Sequence, residues 1–421
     1  MKEDFIYYLW ENRLLHLDLT TTEGDEIVIL SVGIRNLDSG ADYNNARIKI
    51  GGTLWAGQVE IHVRSSDWYR HNHQDDNNYN NVILHVVYEC DNKSPPIPTL
   101  EVKGKFDIGL LQNYATFLNS RKWIPCEDFI GGVHCFAINS WLDRMLVEHL
   151  EKECKDLDFR LKNNHDDWEQ TFYQRFMRYF GLKVNNDAFE YLSRVLPLNL
   201  LLKHLDNDIY VEAMMFGCAG FLDDDFEEPY PNLLKREFRM LKSKFGLRTV
   251  PISNWKFLRL RPPNFPTIRI AQISKIIIKN GAMFSKIRDS NSIEEIIELF
   301  DVELDGYWNN HFQFDKISSS VKKKNLGKTA VELSMINSVV PMLFYYGKYH
   351  LSERHVEKAM SYLEQLEAED NLIIRNFQKC GLMFQNAFQT QAALYMYKHY
   401  CRRRRCLECR IYCLLSRKCS E

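Results

Sequence analysis

No window of this 421-residue chain approaches the roughly 18 uninterrupted apolar residues that a membrane-spanning helix requires, so a helical membrane protein is excluded. The opening residues, MKEDFIYYLWENRLL, lack the basic cap and clean apolar run of a signal peptide. The expected location is therefore cytoplasmic, with no membrane partner. The chain also lacks an excess of positive charge: 54 Lys and Arg against 56 Asp and Glu give a net charge of -2. Contact with nucleic acid must then rest on local patches rather than on an overall field. There is no internal repeat and no low-complexity tract, so neither stacked repeats nor a biased linker is expected. What remains is ordinary for a soluble globular protein, 45% hydrophobic and 26% charged. The length exceeds what one core usually organises, which points to two or more domains. Eleven cysteines without an export signal argue for reduced thiols or a metal rather than a disulfide framework.

The residue pattern changes character near residue 130. Apolar side chains at Phe5, Ile6, Leu9, Trp10 and Leu14 predict a helix over 3–15. The period then shortens: DEIVILSVG (25–33), ARIKI (46–50), LWAGQVEIHVR (54–64) and VILHVVYE (82–89) read as strands. Gly51 and Gly52 suit a tight hairpin between the second and third of these, and Ser65, Ser66 and Asp67 offer N-cap chemistry for a short helical turn. Pro95, Pro96 and Pro98 mark an edge loop before a final strand. Beyond it the helical period dominates, in segments near 133–158, 166–180, 186–204, 208–222, 232–245, 267–280, 292–302, 329–347, 352–368, 370–381 and 385–400. The proline-rich stretch 249–267 interrupts them. The expected fold class is α+β: an N-terminal α/β mixed sheet (helix, three-stranded meander, helix, strand) over 1–130, then a large all-helical region divided into 131–250 and 251–421.

The candidate chemistry is concentrated between Gly40 and Val87. Carboxylates and imidazoles bind divalent metals and move protons near neutral pH, and this run holds Asp42, Glu60, His62, Asp67, His71, His73, Asp76 and His85. Alternation along a strand projects Glu60, His62 and Arg64 together while Val59, Ile61 and Val63 face the core. A hairpin through Gly51 and Gly52 would bring Asp42, at the start of the neighbouring strand, close to Glu60. Two such carboxylates can share a Mg²⁺ or Mn²⁺ ion and leave positions open for water and phosphate. His71, His73 and Asp76, with His85 beside His62 across the sheet, could instead build a site richer in imidazole and better suited to Zn²⁺ or Mn²⁺.

The order helix, strand, Asp, strand, Glu-x-His, helix, strand resembles the PD-(D/E)XK nuclease superfamily over residues 1–105. The resemblance implies a nuclease-like domain in which Asp42 and Glu60 hold the catalytic metal and an acid of the opening helix, placed at Glu11, assists. The position of the superfamily's catalytic lysine is occupied by His62, which brings no fixed positive charge at neutral pH. Over nearly its full length the chain resembles an uncharacterised bacterial family known as a domain of unknown function. The phrases that carry this are GQVEIHVRSSDW, NVILHVVYE, EAMMFGCAGFL, RLRPPNFPTIRIAQ, YWNNHF and CLECRI.

Near the C-terminus, Cys401, Cys406, Cys409 and Cys413 are spaced compactly enough for four thiolates to reach a Zn²⁺ ion or an iron–sulfur cluster. Equally, Cys406, Cys409 and Cys413 would share one buried face of a helix as small apolar residues. The basic runs Arg402–Arg405 and Lys322–Lys324, with Arg259, Arg261 and Arg269, are either phosphate contacts or structural props. Two functional readings stand: a metal-dependent nuclease or phosphodiesterase acting on DNA or RNA through Asp42, Glu60 and His62, or a catalytically silent nucleic-acid-binding or scaffold protein built on the same core. The sequence identifies no protein partner.

Overall fold

The β-branched segments between Leu19 and Glu101 assemble into one seven-stranded sheet. The structure, a computed structural model, describes residues 2–36, 39–91, 95–304, 306–318, 321 and 323–418. The start of the proline loop, 92–94, and Lys322 of the basic run lie outside the described residues. In chain order the N-terminal elements are α1 (Glu3–Glu11), β1 (Leu19–Thr20), β2 (Glu26–Ser31), β3 (Ile34–Arg35), β4 (Tyr43–Ile50), β5 (Thr53–Arg64), α2 (Asp67–Arg70), β6 (Val82–Glu89), β7 (Thr99–Glu101) and α3 (Ile108–Asn119). The spatial order is β1-β2-β4-β5-β6-β7, with β3 pairing on β4. Neighbours from β1 to β5 run antiparallel, whereas β5, β6 and β7 run parallel. Gly51 and Gly52, at φ +54 and +86, make the β4–β5 hairpin because an L side chain rarely adopts such angles.

One face of this sheet is conventional packing. Ile6 and Trp10 of α1 bury against Ile27, Ile48, Val59, Ile61, Leu84, Val86 and Leu100, each such side chain contributing about 1.5–3 kcal/mol when fully buried. The helix stops at Glu11, short of the expected 15, because Arg13 turns into the left-handed region at φ 51. Helix α3 was not legible in the apolar pattern; its N-cap, Asp107, accepts the Gly109 N–H at 2.8 Å.

The chain forms two compact units, one of residues 1–143, 371–383 and 393–421, the other of 144–370 and 384–392. The second is helical, including Trp168–Phe180, Leu182–Val195, Asp208–Cys218, Pro229–Phe245, Pro266–Asn280 and Glu353–Gln365. The expected helix 186–204 is broken at Pro197, which lacks the N–H that a continuous helix needs. The stretch 249–267 interrupts the helices as expected, and residues on both sides of it belong to the same unit. The region is not wholly helical: His311–Gln313 and Lys316–Ile317 form a small hairpin turning at Asp315, φ 54. Among the described residues no helix is long and apolar enough to cross a membrane.

Gly217 sets a close approach in this unit. A Cβ built there would lie 2.2 Å from the Phe238 ring. Gly217→Ala is therefore expected to destabilise the protein by about 1–3 kcal/mol through overpacking, despite alanine's better helix propensity. Chemical denaturation of the full chain reads this directly, and a variant as stable as the wild type would show that the two helices can separate freely.

Candidate metal centre

Strand β5 carries Glu60 and His62 on the face opposite Val59 and Ile61, as alternation requires. Both are nonetheless buried, at 5% and 2% exposure, because the chain folds back over them after the strand. That return is built locally. Asp67 accepts the Arg64 N–H at 3.1 Å and pairs with Arg70 at 2.9 Å, while the Asp91 carboxylate accepts the Ser65 and Ser66 hydroxyls. Asn72 then takes a left-handed conformation, φ 60, between His71 and His73.

The result is a cluster of imidazoles, two of which approach one carboxylate oxygen. His62 Nε2 lies 3.2 Å from His71 Nδ1 and 3.5 Å from Glu60 Oε1, and His73 Nε2 lies 3.3 Å from the same oxygen. Donor atoms of His62, His71 and His73 all lie within 4.8 Å of one another. On its other side, His62 Nδ1 is 2.9 Å from Nε2 of His85, which is fully buried on β6. Tyr79 stacks on His73 at 3.8 Å, and the Trp68 ring meets His73, Tyr79 and His85 edge-on. His71 is exposed, so the cluster opens to solvent on that side.

Burial sets the charge of these groups. Burial, reinforced by the neighbouring His85, His73 and His71, pushes His62 down to about 2; burial and His73 push His85 down to about 3. Burial also lowers His73. The rings are therefore neutral near pH 7, the form that ligates metals. Burial, then the charge of Asp42, pushes Glu60 up to about 9, a cost that a cation beside Oε1 would offset. Among the described residues, the buried His73 Nε2 makes no hydrogen bond beyond its 3.3 Å approach to Glu60 Oε1, and His85 Nδ1, the ring nitrogen that does not face His62, makes none. An ion beside Glu60 would account for the first atom and not for the second.

The other sequence candidates sit as follows. Asp42 does meet Glu60, its N–H donating to Glu60 Oε2 at 3.0 Å, but its own oxygens accept the Tyr7 hydroxyl and the Ile61 N–H, each at 2.9 Å. Asp42 thus braces Glu60 and leaves Oε1 to face the histidines. Glu11 accepts from Tyr43 at 2.9 Å and pairs with Arg35 at 3.5 Å. The α1 acid whose field reaches Asp42 and Glu60 is Glu3, two helical turns earlier, or about 12 Å along the axis. Asp76 is exposed and caps the turn at Asn78. Glu3, Tyr7, Tyr79 and Trp68 are the neighbours that motif spacing missed. Glu3, Tyr7 and Glu11 form one i, i+4 stripe that could have flagged the first two, whereas nothing in the local pattern marked Tyr79.

Among the remaining candidates, Cys401, Cys406, Cys409 and Cys413 belong to the same compact unit as the sheet. Cys401 ends a π-helical turn, Cys406 opens a 3-10 turn, and Cys413 stands on the helix Arg410–Lys418. Several basic residues are interior props: Arg404 donates to the carbonyls of Phe117, Leu118 and Ser120, Arg269 is buried against Asn264 and the Phe180 ring, and Lys324 donates to the carbonyls of Trp308 and Asn309.

Neither a curated protein nor a solved structure matches the chain. A family profile does, over residues 3–372, and on that span the protein belongs to DUF2851, a family described as protein of unknown function.

Proposed function

We propose that the protein is a metal-dependent hydrolase of phosphodiesters, with DNA or RNA as substrate class, whose ion is held by His62, His71 and His73 beside Glu60. The observation that carries this reading is the convergence of three imidazole donors within 4.8 Å of one another, two of which, His62 and His73, also lie 3.5 and 3.3 Å from Glu60 Oε1. Three imidazole nitrogens suit Zn²⁺ or Mn²⁺ better than Mg²⁺, which prefers an all-oxygen shell. Such an ion supplies a water acidified toward neutrality. Glu60 Oε1 is placed to take the proton, Asp42 fixes Glu60 through its backbone N–H, and His85 holds His62. Were Nε2 given to an ion, His62 Nδ1 would keep its hydrogen and donate a hydrogen bond to His85 Nε2, fixing the ring.

A polyanionic substrate is favoured by the excess of basic over acidic side chains lining a neighbouring cavity of about 170 Å³, Lys2, Arg35, Arg403, Arg404 and Arg405 against Asp4, Glu11 and Glu408, and Tyr7 of the same lining donates to Asp42. Support from topology is the chain order α1, then the antiparallel set β2-β4-β5, then α2 and β6, which follows the helix, meander, helix, strand order that the nuclease resemblance implies. The second reading, a silent nucleic-acid-binding or scaffold protein, draws on the full engagement of the Asp42 carboxylate.

Elemental analysis of purified protein, with cleavage assays on single- and double-stranded DNA and RNA in Mn²⁺, Zn²⁺ or Mg²⁺, separates the two. Glu60→Gln is expected to keep the ion while lowering cleavage by about 10²–10⁴-fold, the usual contribution of a positioned base. Protein that retains no ion and cuts no nucleic acid would leave the binding reading in place.

A further inference from the structure

We propose that the open part of the sheet face that carries the metal centre, with Val28, Leu30, Arg47, Lys49 and Leu54, seats a single-stranded stretch of the nucleic-acid substrate. The inference rests on the hydrolase reading above and states where that substrate lies. Alternation along β5 places Leu54, Ala56, Gln58, Glu60 and His62 on one side of the sheet. Leu54 and Ala56 are exposed whereas Glu60 and His62 are buried, so this face is open at its hairpin end and covered at the centre. Register extends the open part over two more strands: Lys49 stands between Leu54 and Val28, and Arg47 between Ala56 and Ser31. From Ala56 to Glu60 is four residues, about 13 Å along the strand. That is roughly four nucleotides at a stacked rise of about 3.4 Å, so a strand lying on the open face continues into the centre.

Its side chains match that occupant in kind. Along β4, Arg47 and Lys49 are exposed while Ala46, Ile48 and Ile50 are buried, so both cations project from the open face. Among the described residues neither makes an ion pair or a side-chain hydrogen bond, unlike Arg404 and Arg269, which prop the interior. The acid on this face, Glu26, stands at the hairpin end, where its carbonyl accepts the Gly51 N–H at 3.0 Å, and is farthest from the centre. Between the cations lie apolar side chains that stay in water: Val28, Leu30 and Leu54 are 42, 52 and 62% exposed. Scattered apolar residues on a surface need no explanation, but Val28 and Leu54 flank Lys49 directly across the sheet. A single strand offers phosphates to the cations and unstacked bases to the apolar side chains. A duplex keeps its bases stacked inside and would leave Val28 and Leu54 without contact. A two-fold contact with a second copy would set Arg47 and Lys49 against their own like charges, since such a patch meets itself.

The test is fluorescence anisotropy with a labelled single-stranded oligonucleotide and with its duplex, across a salt series. The parent is the full chain carrying Glu60→Gln, so that cleavage does not intervene, and the comparison adds Arg47→Ala and Lys49→Ala to it. The two alanines are expected to weaken single-strand binding by about tenfold and to lower the slope of log affinity against log salt by about 1.4, the loss of two phosphate contacts on a single strand. The duplex should bind the parent more weakly. Both substitutions sit on exposed strand positions, and thermal melts show whether each chain is folded. A parent that binds the single strand with an affinity and salt slope that the alanines leave unchanged, or that holds the duplex as tightly, would overturn this inference while the hydrolase reading stands. A parent that binds neither nucleic acid would remove the hydrolase reading and this inference with it. Sedimentation of the same chains tests the other occupant: a dimer that the alanines strengthen, by removing like charges from its interface, would make this face a self-contact and overturn the proposal.

Discussion

A chain carrying His62→Ala is expected to leave purification without the ion of the histidine centre and to lose metal-dependent hydrolysis altogether, while His85→Phe weakens metal retention by about 10–100-fold. The two differ because of where each ring stands. His62 offers Nε2 toward His71 and Glu60 and uses Nδ1 to meet His85, so its removal deletes a ligand and breaks the link to the neighbouring strand. His85 is fully buried and reaches the cluster only through His62. Its loss frees the His62 ring to rotate without deleting a donor. Phenylalanine keeps most of the ring volume against Trp68, so the folding cost stays small relative to an alanine cavity. Equilibrium dialysis against Zn²⁺ and Mn²⁺, with a thermal melt of each variant, measures both effects. Retention of a full equivalent by folded His62→Ala would remove His62 from the ligand set and with it the proposed centre.

The second large effect concerns stability and lies in the helical unit. Glu190, 5% exposed, accepts from Arg160 at 2.7 Å, from Arg194 at 2.5 Å and from Arg178. Burial alone would raise its pKa, but hydrogen bonds from Arg160 and Arg178 win and take it from 4.5 down to about 2. A carboxylate whose folded pKa is depressed contributes stability that is present above its unfolded value and is lost as pH falls through the folded one. Wild-type protein should accordingly lose this contribution between about pH 4.5 and pH 2. Glu190→Gln should lack that component and, at neutral pH, be less stable by about 3 kcal/mol, because the buried carboxylate charge that three arginines share is removed, Arg160 being the most buried of them. Urea titrations across that pH range compare the two chains; parallel curves would show that Glu190 contributes nothing specific to the ionised state.

How far the site was legible in the sequence follows from which forces are local. Alternation along β5 put Glu60 and His62 on one side and Val59 and Ile61 on the other, and the glycine pair fixed the hairpin that brings Asp42 to Glu60, because side-chain direction on a strand and backbone freedom at glycine depend on neighbours in the chain. The helical stretches, the proline break and the α+β class were readable for the same reason. The choice among donors was not. Whether Asp42 binds an ion or braces Glu60 depends on Tyr7 and the Ile61 N–H, 35 and 19 residues away. Whether the α1 acid near the site is Glu3 or Glu11 depends on how far the helix slides along the sheet, which its periodicity leaves free.

Sequence by itself determined the elements, the polar face of β5 and the residue types able to do chemistry, since these follow from backbone and side-chain preferences over a few residues. Only the tertiary structure decided which imidazoles converge and which oxygen of Glu60 faces them, since burial and long-range hydrogen bonds exist only once distant segments pack.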